Sequence, residues 1–213
     1  MRFFFFSFSL SFSFFKAHVP PWPSGRGISA GGWNHFQTIT EHKWLVMKEC
    51  FKVGLYKQGL LHDLSKYTPE EFRTGVLYFQ GNRSPNAAEK EQTGYSRAWL
   101  HHKGRNKHHY EYWIDLPADK SQGLLGMRMP VQYVVEMFMD RVAASKIYAK
   151  KDYTDSHPLN YYKKSWKYMT IHPDSRKLLE RLLAMLSRYG EERTFAYIRN
   201  VVLSGKYKYE LNE

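Results

Sequence analysis

From Trp33 onward the apolar residues of this chain recur every three or four positions, and no stretch sustains the alternation of a half-buried strand. Trp44, Leu45, Met47, Phe51 and Leu55 mark one helical face within 34–57, and Gly54 and Gly59 bracket a break before Leu60. Thr68-Pro69-Glu70-Glu71 reads as a helix start, with Thr as N-cap, Pro at the first helical position and acids in the first turn. The polar stretch 81–94 reads as a loop, and 96–102 as a short helix interrupted by Gly104. Met129-Pro130 opens a helix through Val134, Val135, Phe138, Met139, Val142 and Ala143 to about Tyr148. Another follows His172-Pro173-Asp174 through Leu178, Leu179, Leu182, Leu183 and Leu186 and ends at Gly190; a last helix covers 191–203. A chain built of such segments is all-α.

Residues 1–32 have a different texture. Met1 to Phe15 are almost only Phe and Ser, and prolines and glycines follow to Gly32. The apolar run is far short of the roughly 20 residues of a membrane span, and no small-residue cleavage site follows it cleanly. We expect 1–32 to be a low-complexity, disordered extension and 33–213 a single domain, long enough to bury a core without disulfides. The single cysteine, Cys50, excludes an intramolecular disulfide and a cysteine-built zinc site, and it suits a reducing, cytoplasmic setting. A formal net charge of +12 favours an anionic partner, although the cations are scattered rather than gathered in one run.

The histidines carry the functional signal. Seven of the ten lie between His35 and His109, and four share one segment as the pairs His101-His102 and His108-His109. Neutral imidazole is the commonest metal ligand, and four imidazoles beside Trp99, Tyr110 and Trp113 add nothing to packing, because each ring carries nitrogens that need partners. His18, His157 and His172 read instead as surface or capped residues. In a continuous helix His101 would share a face with His108, or His102 with His109; Gly104 interrupts it, so which of each pair is a ligand stays open. The second feature is His62-Asp63, flanked by Leu60, Leu61 and Leu64. On an apolar helix such a carboxylate is costly to bury unless it binds a cation, and Lys66, one turn on from His62, faces the same cavity. Asp115, Glu111 and Glu136 are spare carboxylates, and for Glu136 a solvated helix face is as good an account as a ligand role.

His42, then His62-Asp63 with Lys66 following, then Asp140 inside a later helix, resembles the signature of the HD superfamily of metal-dependent phosphohydrolases. The resemblance implies an HD-like helical bundle in which His42, His62, Asp63 and Asp140 hold one divalent transition metal ion. His42 fits the usual separation better than His35. Two-metal members add histidines between the His-Asp pair and the last Asp, the interval that His101, His102, His108 and His109 occupy; Asp63 would then bridge two ions of Mn, Fe or Zn. More narrowly, the strings HDLSKYTPEEF, AWLHHKGRNKHHYEYWID and VVEMFMDRVAASKIY resemble DUF5662, a family of bacterial and phage proteins whose activity is not settled.

These features imply a metal-dependent phosphohydrolase acting on a nucleotide-like or other phosphorylated small molecule. Asp63 would serve the metals, while Lys66, Lys103, Arg105 and Lys107 would stabilise charge on the substrate's non-bridging oxygens. Asn106 would be either a substrate contact or a turn residue. Two alternatives share the sequence features: a di-iron oxygenase on the same scaffold, and a basic nucleic-acid-binding protein. The last leaves the histidines unexplained and ranks behind the others.

Overall fold

A computed structural model describes residues 30–209. The expected disorder of 1–32 falls almost wholly outside that range; within it, α1 (Ala30–Lys52) already includes Gly31 and Gly32, so the helical body starts earlier than Trp33. Seven more α-helices follow: α2 (Tyr56–Leu61), α3 (Pro69–Leu77), α4 (Pro85–Thr93), α5 (Arg97–Lys103), α6 (Val131–Ala149), α7 (His157–Ser165) and α8 (Pro173–Tyr197). Two two-residue strands, β1 (Ile114–Asp115) and β2 (Leu125–Gly126), pair antiparallel in the connection between α5 and α6. The all-α expectation holds. Among the described residues no helix is long and apolar enough to cross a membrane.

The organising element is α6. Its run Val134, Val135, Phe138, Met139, Val142 and Ala143 is completely buried, as are Leu178, Leu179, Leu182, Leu183 and Leu186 of α8. These two apolar surfaces meet each other, and α1 closes the core with Val46 and Cys50, joined by Val53 just beyond its end. At about 1.5–3 kcal/mol for each fully buried aliphatic or aromatic side chain, this interface dominates stability. Within α1 the inward face is His35, Ile39, His42, Val46, Glu49 and Cys50, whereas Trp44, expected inside, is exposed. Gly190, with φ of 78°, breaks α8 where a helix end was expected, and the chain then runs on to a π-helical turn at Ile198–Val202.

Two expectations fail. The stretch 81–94 contains α4, which starts from Ser84-Pro85 and stops at the left-handed Gly94. Its sequence is polar all round, so no apolar period announced it, although both end signals were present. The α4 helix matters because its buried Glu89 accepts hydrogen bonds from the Ser96 hydroxyl and the Arg97 amide, tying down the start of α5. The His62-Asp63 pair, in turn, does not lie on an apolar helix. His62 terminates α2 and Asp63 opens a 3-10 turn over Leu64–Tyr67, while Leu60, Leu61 and Leu64 point to solvent. What draws this junction inward is a close approach of α2 to α1: a Cβ on Gly59 would sit 3.1 Å from the Met47 backbone.

His35 shows that a buried histidine here need not belong to a cluster. Its ring packs against Phe72 and Phe79 of the α3 region and directly over Gly75, where a Cβ would fall 2.0 Å from Nε2. Burial, with the nearby Lys66 ammonium, lowers its pKa from 6.5 to about 4. The ring is therefore neutral in the folded protein, and the stability it confers is present above pH 6.5 and lost as pH falls through 4. In the metal-free protein, wild type should lose about 3 kcal/mol between pH 6.5 and 4 that His35→Leu does not lose. Parallel stability curves in chemical denaturation would show that the ring titrates freely in the folded state.

Candidate metal centre

Asp63 is the one residue that touches every part of the site. It is 2% exposed, and its backbone adopts the left-handed conformation with φ of 54° and ψ of 23°. That region is costly for most side chains and tolerated best by Gly, Asn and Asp. The reversal of chain direction at this residue turns its carboxylate inward. Lys43 of α1 holds the preceding segment in place by donating to the carbonyls of Leu60 and His62, at 2.7 and 3.1 Å.

The two carboxylate oxygens face different partners. Oδ2 lies 3.6 Å from His42 Nε2 and 3.3 Å from His62 Nε2. Asp140 Oδ1, from α6, lies 2.9 and 3.7 Å from the same two nitrogens. Oδ1 of Asp63 lies 3.3 Å from His102 Nε2 and 3.4 Å from His108 Nε2, with His109 completing that side. Two groups of donor atoms share Asp63: His42, His62, Asp63 and Asp140 on one side and Asp63, His102, His108 and His109 on the other; a third, His62, His108 and Glu136, lies behind them, and each is compact enough to hold a metal ion. Ligands about 2.1 Å from a common ion stand about 3.0–3.4 Å apart, and the pairs here run from 2.9 to 3.7 Å around that spacing.

The donor atoms are also unsatisfied. Nε2 of His42, His62, His108 and His109 and both oxygens of Asp63 are buried without a partner in hydrogen-bond geometry. Buried polar atoms are rarely left in that condition, and here they gather around two points. Lys66 Nζ pairs with Asp63 Oδ2 at 2.7 Å, and its side chain retains 28% exposure, so it stands at the edge of the site. The residues present fit one or two divalent cations.

Behind the donors stands a layer of orienting groups. Glu136 Oε1 accepts from Nδ1 of His62 at 3.0 Å, and the same oxygen lies 3.2 Å from Nδ1 of His108. Glu71 of α3 accepts from Nδ1 of His102 at 2.7 Å and of His101 at 2.6 Å. Asn106 donates to Ser65 Oγ and to the His102 carbonyl, both at 2.8 Å, and so closes the turn after α5. A histidine that donates from Nδ1 presents the lone pair of Nε2, the arrangement of a metal-ligating imidazole.

Burial and neighbouring charge compete at each of these groups. Burial would raise the Asp63 carboxyl, but His62, Lys66 and His102 hold it well below the usual range. Burial likewise opposes ionisation of Asp140, and His42 and His62 overcome it. His62 is desolvated, yet Asp63, Asp140 and Glu136 raise it well above the ordinary imidazole value. His109 is held well below that value by burial and by its neighbours His108 and His102.

The remaining sequence candidates lie elsewhere. His101 belongs to neither donor group: like His102 it gives Nδ1 to Glu71, but His102 is the one whose Nε2 meets Asp63, and α5 ends at Lys103, which ends any shared helical face with His108. Arg105 is exposed and donates to the His101 carbonyl. Lys107 is exposed over the rings of Tyr112 and Tyr133, and Lys103 sits half-buried in the last turn of α5. Of the spare carboxylates, Asp115 is exposed and caps the Leu116 amide, Glu111 is half-buried, and Glu136 is inward rather than solvated. His157 and His172 make local caps at Thr154 and Asp174, and His18 lies outside the described residues. Glu71 and Ser65 were not anticipated. Glu136, weighed in the sequence evenly between a ligand role and a solvated face, precedes Asp140 by four residues and shares its inward helix face.

Comparison with curated proteins and with solved structures gave no match. Comparison with protein families did: the family of unknown function DUF5662 matches residues 31–185, a span that takes in every residue of both donor groups. The chain belongs to the DUF5662 family.

Proposed function

We propose that this chain is a two-metal phosphohydrolase of HD type, with its ligand groups joined by Asp63. The observation that carries the proposal is the division of the Asp63 carboxylate, Oδ2 toward His42 and His62 and Oδ1 toward His102 and His108. His42, His62, Asp63 and Asp140 would hold one ion, and Asp63, His102, His108 and His109 the other. Imidazole with carboxylate suits Mn, Fe and Zn. A pair of such ions supplies a water nucleophile at neutral pH and neutralises charge on a phosphoryl oxygen.

The chain's own residues have separable tasks. Asp63 and Asp140 contribute the negative charge that a pair of cations requires, and the imidazoles fill the remaining positions without adding charge. Lys66, paired to Asp63 and partly open to solvent, is the cation placed to meet an anionic substrate at the rim. Its ammonium would steady the substrate's non-bridging oxygens as charge develops there. Arg105 and Lys103 would act, if at all, on more distant parts of the substrate. A di-iron oxygenase would use the same ligands; tightly held iron and dioxygen consumption distinguish it from a hydrolase.

Metal analysis of purified protein tests the scheme. Wild type should carry about two equivalents of divalent metal. Asp63→Gly should carry none, and since Gly accepts the left-handed backbone, the substitution adds no backbone strain of its own. The triple change His102→Ala, His108→Ala, His109→Ala should retain about one equivalent. Full occupancy in that triple variant would contradict the two-group scheme. Lys66→Ala should keep both metals and lower turnover of a phosphate ester such as p-nitrophenyl phosphate by about 10²-fold; unchanged turnover would remove Lys66 from the site.

A further inference from the structure

Helix α6 carries two inward carboxylates one turn apart, and they are turned to different parts of the same histidines. Asp140 approaches Nε2 of His42 and His62, whereas Glu136 lies behind the rings. Glu136 is 5% exposed, and His62 and His108, each 1% exposed, have ring centroids only 4.4 Å apart. One oxygen of Glu136, Oε1, stands 3.0 Å from Nδ1 of His62 and 3.2 Å from Nδ1 of His108. An ionised carboxylate can only accept, so both nitrogens donate. Each Nε2 is then left to face Asp63, His62 toward Oδ2 and His108 toward Oδ1.

We infer that Glu136 is a positioning residue that couples the two metal sites, because a single carboxylate oxygen sets the tautomer and tilt of one histidine in each ligand group. The inference rests on the two-metal proposal and adds a consequence to it. Asp63 links the ions from the front through direct ligation; Glu136 links them from behind through their histidines. Occupancy of one site fixes Glu136 and so pre-orders the histidine of the other, which makes metal uptake cooperative.

Glu71 supplies the internal contrast. Its Oε2 holds Nδ1 of His102, which serves the second group alone, and its Oε1 holds His101, which serves neither. Loss of charge at Glu71 is therefore felt at one ion and loss of charge at Glu136 at both.

Titration of the full-length, metal-free protein with Co²⁺ separates these cases, read by calorimetry and by the visible absorption of the bound ion. Glu136→Gln preserves size and an accepting oxygen but removes the charge. Both Co²⁺ equivalents should weaken by about 10–100-fold, with both absorption contributions altered. In Glu71→Gln only one equivalent should weaken. Glu136→Asp keeps the charge on a shorter arm that cannot reach both rings, so it should restore no more than one site. Two Co²⁺ equivalents at wild-type affinity in Glu136→Gln, or weakening of only one, would overturn the coupling. Wild-type protein that takes up no Co²⁺ would overturn the two-metal proposal itself, and the inference with it.

Discussion

A carboxylate buried to 2% exposure at a left-handed backbone position is the constraint around which this protein is built. Desolvating such a charge costs several kcal/mol, and the backbone conformation adds about 1 kcal/mol more. Folding therefore has to bring compensation to Asp63 from every side. His42 arrives from α1, Lys66 from the 3-10 turn, His102 from α5, and His108 from the loop beyond it. The apolar packing of α1, α6 and α8 provides the stability that makes this concentration of polar atoms tolerable.

The two donor groups are held in unlike ways. His42 and Asp140 stand on α1 and α6, long helices that also build the core, so their positions are set by packing. His102, His108 and His109 sit in a short helix and the turn that follows it, a segment held by hydrogen bonds to Glu71 and Glu89 and by one from Asn106. A site of the first kind is rigid before metal arrives. A site of the second kind has fewer apolar contacts behind it and gains more from bound metal. Glu136, on the rigid helix, is the element that extends the order of the first group to the second.

Much of this was legible in the sequence where periodicity and residue type coincide. The buried faces of α6 and α8 follow directly from leucines and valines at helical spacing, and His62-Asp63 stood out because an adjacent imidazole and carboxylate among leucines have no packing rationale. Those leucines proved to be the solvent face of a helix end, since what turns Asp63 inward is one backbone dihedral that residue type scarcely signals. The helix at 85–93 escaped notice because it is polar on all sides. His101 and His102 are equivalent on paper and both give Nδ1 to Glu71; only the approach of His102 Nε2 to Asp63, at 3.3 Å, separates a ligand candidate from its neighbour. Of the same segment, Arg105 and Lys107 are exposed on either side of the buried Asn106, a distinction that residue type does not signal.

The sharing of Asp63 between two ions is the central claim, and anomalous diffraction from crystals grown with Mn²⁺ measures it directly. Two anomalous peaks should appear about 3.5–4 Å apart, one oxygen of Asp63 on each. A single peak with Asp63 bound through both oxygens, or two peaks of which one lacks Asp63, would contradict it.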